Sequence, residues 1–289
     1  MIKPEIQPLH PDFGARILGV TLSGNMAGDT LDFIRQSFEQ HSLLCFPEQD
    51  LDDEKQLAFT RLLGTPEAEH VRFGQTGEIS YFGTVGNIRD DGTSADPANA
   101  RYQSGNQLWH SDSSFREVPS SFSILHAYEV PQEGGDTEFA SMRAGYARLP
   151  EALRQRIEPL HVIHDYVFSR SPVAPVNPNH AASLPPVMHP MVRTNPTHGL
   201  KNYYVGSHAR SIVGLSGIES RQLLDELLEH TTEPDHVLRH AWCPGETVIW
   251  DNRCLLHKGS GYDADRWRRR LRQTRVVGDE KGVIHQTPA

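Results

Sequence analysis

The sequence predicts a mainly β core, a sandwich or a barrel, with a few flanking helices. Three observations lead there. Short extended segments rich in β-branched and aromatic residues recur along the chain, while few stretches carry a helical apolar stripe. The extended segments do not alternate with helices in the βαβ manner. No glycine-rich phosphate loop follows any of them, so a nucleotide-binding α/β sheet gains no support.

From the N-terminus, "DTLDFIRQSFEQHS" (29–42) sets Leu31, Ile34 and Phe38 on one helical face, with Asp29 or Thr30 as the cap. "SLLCF" (42–46) reads as a strand. "DDEKQLAFTRLLG" (52–64) is a second helix, which Gly64 ends in the manner of a C-terminal glycine cap. "LHVIHDYVF" (160–168) and "NYYVG" (202–206) are strands, with the proline-rich "SPVAPVNPNHAASLPP" (171–186) as a connection between them. "SGIESRQLLDELLEHTTEP" (216–234) opens with Ser216 and Glu219 at capping-box spacing and runs on Leu223, Leu224, Leu227 and Leu228. "ETVIW" (246–250) and "TRVV" (274–277) are further strands.

Composition excludes several classes of function. At 289 residues and 37% hydrophobic, the chain can bury one large core or two small ones. No apolar run reaches the roughly 18 residues of a membrane span, and "MIKPEIQPLHPDFG" lacks a signal-peptide core, so no membrane partner is expected. Cys45, Cys243 and Cys254 show no CxxC spacing, which suits a reducing, cytoplasmic location without disulfides or a zinc knuckle. A net charge of −9 argues against a nucleic-acid partner.

The chemistry begins at "NQLWHSDSSF" (106–115). In an extended segment residues i and i+2 point the same way, so His110 and Asp112 set an imidazole and a carboxylate side by side. Alone, such a pair is equally a solvated strand end. "VIWDNRCLLHKG" (248–259) adds His257 after a strand and a turn. Two histidines and one carboxylate are the set that holds one face of a non-haem Fe(II), leaving positions open for co-substrate and oxygen. The arginine run "RWRRRLR" (266–272) is for most of its members a basic, solvated edge. One of its guanidiniums could still grip a distal carboxylate bidentately, and Thr137 in "GGDTEF" offers a hydroxyl beside it.

These blocks, with "GGDTEFASMRAGYARLP", "PPVMHPMVRT" and "VGSHA", resemble the TauD/TfdA family of Fe(II)/2-oxoglutarate-dependent dioxygenases, most of all its 2,4-dichlorophenoxyacetate dioxygenase branch. The similarity runs from "PLHPDFGARILGVTL" to "VVGD". It implies one domain over residues 1–289 with a double-stranded β-helix (jelly-roll) core and iron at the barrel mouth. It also implies His110, Asp112 and His257 as metal ligands, with 2-oxoglutarate held by Thr137 and Arg269. Arg268 is the alternative if no residue is inserted in "KGSGYDADRW". Asn106 matches a residue that lines the primary-substrate pocket. The implied reaction consumes O2 and 2-oxoglutarate, with ascorbate in support, and gives succinate and CO2. A small organic acid of the phenoxyacetate type would be hydroxylated beside its ether oxygen and fall apart to a phenol and glyoxylate. Relatives of this kind are commonly homo-oligomers.

One departure stands out. Where the family often has a second arginine for the substrate's acidic group, this chain has Gln273. Arg72 in "HVRFGQTG" is the first replacement to consider, then His70 and His208. Tyr166 and Phe168 are candidates for the pocket wall or the core, and Trp109 for packing behind the ligand strand. A sulfonate, a sulfate ester or another small acid remains an alternative substrate. A catalytically silent jelly-roll binding protein is the competing class, as is a zinc hydrolase, for which no motif places a general base.

Overall fold

The structure, a computed structural model, describes residues 4–68, 80–89, 91–95 and 104–278. In chain order its strands are Glu5–Pro8 (β1), Ala15–Leu18 (β2), Leu43–Phe46 (β3), Gly83–Gly86 (β4), Ser120–Glu129 (β5), Thr137–Ser141 (β6), His161–His164 (β7), Val187–Pro190 (β8), Val192–Thr194 (β9), Lys201–Tyr203 (β10), Ala209–Ile212 (β11), Val237–His240 (β12), Thr247–Asp251 (β13), Leu255–Gly259 (β14) and Arg270–Val277 (β15). A seven-stranded sheet runs β1-β2-β3-β13-β5-β15-β4, drawing strands from both ends of the chain. Facing it are β12-β6-β14 and, further along, β11-β7-β8 and β10-β9. Neighbours in the large sheet are mostly distant in sequence, which is the winding of a jelly roll.

Side-chain alternation sorts the large sheet's residues onto two faces. Leu43, Cys45, Leu125, Ala127, Val248, Trp250 and Leu271 meet Phe139 and Leu255 of the small sheet and fill the space between them. The intervening Leu44, Phe46, Ile124 and Ile249 point outward and are covered by Ile34, Phe38 and Phe59. Those three come from the helices Gly28–His41 and Asp53–Leu63. Each such side chain taken out of water contributes about 1.5–3 kcal/mol. A third cluster seats the helix Gly217–Thr231, through Leu223, Leu224 and Leu227, on Val162, Tyr203 and Ile212.

The three helices that periodicity predicts form where it places them, shorter ones form elsewhere (Met142–Arg148, Glu151–Ile157, Tyr166–Arg170 and Pro178–Ser183), and the ends of the three differ in detail. The first begins at Gly28 with Ala27 before it and no side-chain cap, so Asp29 lies in the first turn rather than capping it. Asp52 caps the second by accepting from the Lys55 amide. Gly64 ends that helix with an extended backbone, φ 162°, not the left-handed one of a glycine cap. Its missing side chain matters for packing, because a Cβ there would lie 2.5 Å from Val276 Cγ1. Ser216 and Glu219 close a reciprocal capping box.

Two segments depart further from expectation. The strand expected over 160–168 stops at His164, where Asp165 caps a short helix, Tyr166–Arg170. The expected 274–277 strand begins four residues earlier, so half of the arginine run is not a solvated edge. It enters the large sheet between β5 and the edge strand β4, and Arg269, Arg272 and Arg275 are buried.

Candidate metal and co-substrate site

His110 and His257 face each other across an isolated antiparallel bridge, each amide donating to the other's carbonyl at 3.0 and 2.8 Å. The bridge extends the small sheet beyond β14 and brings the two imidazoles to 4.2 Å between ring centres. Room for this approach comes from Gly206, at φ +130°, where a Cβ would sit 3.2 Å from the Trp109 carbonyl oxygen. Past His110 the chain turns, with Ser113 in the left-handed region at φ 55°, and Asp112 swings toward the large sheet. Oδ1 of Asp112 then lies 3.8 Å from Nε2 of both histidines. The three ligand atoms fall within 4.8 Å of one another.

The protonation states suit a cation. Nδ1 of His110 lies 2.7 Å from the Leu108 carbonyl, which can only accept, so the ring proton sits there and Nε2 keeps its lone pair. Burial lowers the basicity of His110, and the neighbouring His257 lowers it further. Burial lowers His257 as well, against the opposing pull of Asp112. For Asp112 burial acts upward, but His257, Arg275, His110 and the Ser123 hydroxyl outweigh it and hold the carboxyl below its usual range. Two neutral imidazoles and one carboxylate are the donor set an Fe(II) facial site uses, so the residues fit that ion.

Arg268 and Arg269 part company completely. Arg268 is exposed and donates through Nε to Glu129 at 2.6 Å. Arg269 is buried; Nη2 donates to the Gly135 carbonyl at 3.1 Å, and Nε has no partner. Burial lowers its pKa to about 10, a sign of a cation held without a matching charge. No carboxylate among the described residues lies within ion-pair distance of it. Gly86, at φ +139°, lets β4 close over it, since a Cβ there would strike the Arg269 carbonyl oxygen at 1.9 Å. Thr137, two residues beyond Gly135, accepts from Trp242 Nε1 at 2.9 Å, which leaves its hydroxyl proton as a donor. A buried cation with an unpaired N–H beside a free hydroxyl fits the distal carboxylate of 2-oxoglutarate.

The remaining sequence candidates are placed differently. Gln273 is engaged by protein groups. Its Nε2 donates to Asp112 Oδ2 at 2.8 Å and its Oε1 accepts from Arg275 at 3.1 Å, so both ends of the amide are engaged. Register explains this: Gln273 and Arg275 share the inward face of β15 with Leu125 and Ser123 opposite them on β5. His208 is buried against Phe115, with its ring 6.1 Å from that of His110 and Nδ1 3.1 Å from Ser114 Oγ. Asn106 accepts from Arg170 Nη2 at 3.0 Å. Arg72 and His70 lie outside the described residues. Tyr166 is buried and Phe168 exposed.

Several residues that serve this site carry no sequence signal. Ser123 donates to Asp112 Oδ2 at 2.6 Å, and Asn252 accepts the Asp112 amide at 3.2 Å. Trp242 orients Thr137, and Arg170 lowers the basicity of His110 by its charge. None has a telling spacing, because each reaches the site from another strand or loop. A second cluster, Cys45, His240 and Glu246, has metal-like proximity. Its carboxylate is already met by Arg16 at 3.5 Å, His240 at 3.4 Å and the Cys243 amide at 2.9 Å. Burial and Glu246 push the Cys45 thiol up, so it stays protonated and donates to that carboxylate. This is an internal ion pair rather than a ligand set.

Comparison with known proteins bears on the same site. The family model described as taurine catabolism dioxygenase TauD, TfdA family, matches residues 5–275. The chain is 38% identical over 280 residues to the alpha-ketoglutarate-dependent 2,4-dichlorophenoxyacetate dioxygenase of Cupriavidus pinatubonensis (strain JMP 134 / LMG 1197), covering 94% of this chain and 97% of that one. It is 30% identical over 263 residues to the alpha-ketoglutarate-dependent sulfate ester dioxygenase of Pseudomonas putida, covering 88% and 83%. Among solved structures, AAD-2 in complex with Mn(II) and N-oxalylglycine superposes with a TM-score of 0.88 at 33% identity, over 99% of this chain and 100% of that one. Mn(II) there stands in for Fe(II) and N-oxalylglycine for 2-oxoglutarate.

Proposed function

The chain belongs to the TauD, TfdA family of 2-oxoglutarate-dependent dioxygenases, and on that premise we propose that it hydroxylates a phenoxyacetate-type acid beside the ether oxygen. The resulting hemiacetal collapses to a phenol and glyoxylate. The observation that carries the catalytic reading is the convergence of the buried His110 and His257 with the half-buried Asp112, in protonation states that suit a metal. The substrate reading is supported by the relatives at 37% and 38% identity that act on 2,4-dichlorophenoxyacetate.

Bound Fe(II) with 2-oxoglutarate and O2 would supply the oxidising power, one oxygen atom going to succinate as CO2 leaves and the other to the substrate. The chain supplies position. His110, Asp112 and His257 would hold the metal, and Arg269 with Thr137 would hold the co-substrate's distal carboxylate. Ser123 and Asn252 keep Asp112 from turning away. An acidic substrate needs a cation on the open side. Arg170 suits that role, since its charge reaches His110, and Asn106, which the family resemblance sets in the substrate pocket, fixes its guanidinium. With Cys243 exposed as a free thiol, a reducing cytoplasm is the proposed location. No helix among the described residues is long and apolar enough to cross a membrane.

The test is a substrate panel with Fe(II), ascorbate and 2-oxoglutarate, scored for succinate and phenol. Phenoxyacetates are expected to drive succinate formation with stoichiometric phenol, and Arg170→Gln to raise their KM about tenfold, the equivalent of ~1.4 kcal/mol. Turnover with alkyl sulfate esters and none with phenoxyacetates would overturn the substrate class. An unchanged KM in Arg170→Gln would remove that residue from the pocket.

A further inference from the structure

We infer that Gln273 is a positioning residue for the metal-ligand carboxylate, holding Asp112 with Oδ1 toward the histidine pair and Oδ2 turned into the protein. The inference rests on the reading of Asp112 as a ligand and goes beyond it. A carboxylate on a short side chain can present either oxygen, or both, to a cation. Here Oδ2 is taken by two donors, Ser123 Oγ at 2.6 Å and Gln273 Nε2 at 2.8 Å. Oδ1 alone lies toward the two imidazole nitrogens.

The glutamine cannot flip. Arg275 only donates, and its Nη1 lies 3.1 Å from Gln273 Oε1, so the carbonyl end must face Arg275 and the amide N–H must face Asp112. Arg275 is fixed in turn by Glu67, with Nε 3.1 Å from Oε1. The same carboxylate accepts from Ser113 Oγ at 2.7 Å and Ser120 Oγ at 2.5 Å, with Arg116 at 3.4 Å. Ser113 directly follows Asp112, so the chain of bonds leaves the ligand through its side chain and returns through the next residue. Gln273, Arg275, Glu67, Ser113 and Ser120 are all buried, where a misplaced polar group is costly and an ordered network is stiff.

This assigns a reason to the residue type. Arginine at 273 would set a second guanidinium against Arg275, and glutamate would set a second carboxylate against Asp112. Glutamine joins the carboxylate to the cation without adding charge. Two residues along the same strand face, Arg275 carries a positive charge that is met by Glu67.

The experiment is titration of the metal-free full-length protein with Mn(II) by calorimetry, and with Co(II) by its visible spectrum, so that turnover is not the readout. Gln273→Met, similar in shape but unable to donate, is expected to weaken Mn(II) binding about tenfold or more. It is also expected to alter the Co(II) bands, and the melting temperature of the metal-free protein, which the lost buried bonds should lower, is read alongside so that affinity is compared on folded protein. Ser123→Ala, a smaller excision at the same oxygen, should act in the same direction more weakly and serves if Gln273→Met does not fold. Mn(II) affinity within twofold of wild type and an unaltered Co(II) spectrum in both variants would overturn the inference. Asp112→Ala separates the two readings: if it too bound Mn(II) normally, the ligand assignment itself would fall. Loss of binding only in Asp112→Ala would leave that assignment standing and discard Gln273.

Discussion

Arg268 and Arg269 are neighbours in sequence but belong to different dielectric worlds. At the exposed Arg268, solvent and Glu129 already screen the charge, so a further anion gains little there. At the buried Arg269, an incoming carboxylate meets an unpaired N–H and a cation that makes no ion pair among the described residues. Arg269→Ala is therefore expected to raise the KM for 2-oxoglutarate about ten- to hundredfold, from the ~1.5–3 kcal/mol of a charge-assisted contact. Arg268→Ala should change it less than twofold. Steady-state kinetics at saturating substrate decide this, and the reverse ranking would exclude Arg269. At this scale the sequence is informative about which residue types matter and poor about direction. His110, Asp112 and His257 are readable because metal chemistry demands those types. Gln273 is harder to read because its contacts with Asp112 and Arg275 depend on how the chain packs in three dimensions. A single arginine in a basic run cannot announce that it is buried; the strand that buries it does so.

The elements that build the site are short, and their glycines do more than their hydrogen bonds to set its geometry. Gly206 follows β10 and lies where the strand of His110 passes closest. A Cβ there would meet the Trp109 carbonyl oxygen at 3.2 Å and His110 Cα at 3.4 Å, with φ at +130°, a value side chains rarely adopt. Gly206→Ala is expected to cost roughly 1–3 kcal/mol and to weaken Mn(II) binding together with it, because relief of the contact pushes His110 away from His257. Differential scanning calorimetry with a metal titration tests this; a variant of wild-type stability and affinity would show that the backbone yields freely. The long amphipathic helices are the legible elements, since an apolar stripe and a capping box need only local sequence, whereas short ones such as Tyr166–Arg170 carry no stripe. Strands are legible as existence and not as extent. The start of β15 is hidden because its Arg270 and Arg272 look like surface, yet Arg272 pairs with Asp53 at 2.5 Å and lies in the sheet. β5, ten residues long and central, carries serines and a histidine on its faces and lacks the apolar run that marks a core strand.

Over the whole molecule, packing on several faces buries histidines that no local signal marks as interior, and this links the fold to pH. His126 is buried on β5 beside Thr247, and burial lowers its pKa from 6.5 to about 4. His164, against His189 and Tyr204, lies well below the ordinary value because of burial, with the His189 charge adding to the effect. The sign follows from linkage. A histidine whose folded pKa is depressed binds its proton more readily in the unfolded chain, so stability is full above about pH 6.5 and is lost as pH falls toward the folded pKa. Between pH 7 and pH 5, His126 alone accounts for about 1–2 kcal/mol, taking ~1.4 kcal/mol per pKa unit and allowing for incomplete desolvation. For a chain of this size that is a fall of several degrees in melting temperature, about 2–4 °C per kcal/mol. The metal-free protein is the right sample, because a bound ion would add its own competition with protons. Thermal unfolding across pH 5–7 should show this decline, and His126→Gln, which has no proton to gain, should make it shallower whatever its effect on stability at pH 7. A melting temperature that is flat or rises as pH falls from 7 to 5 would mean that these rings reach water in the native protein.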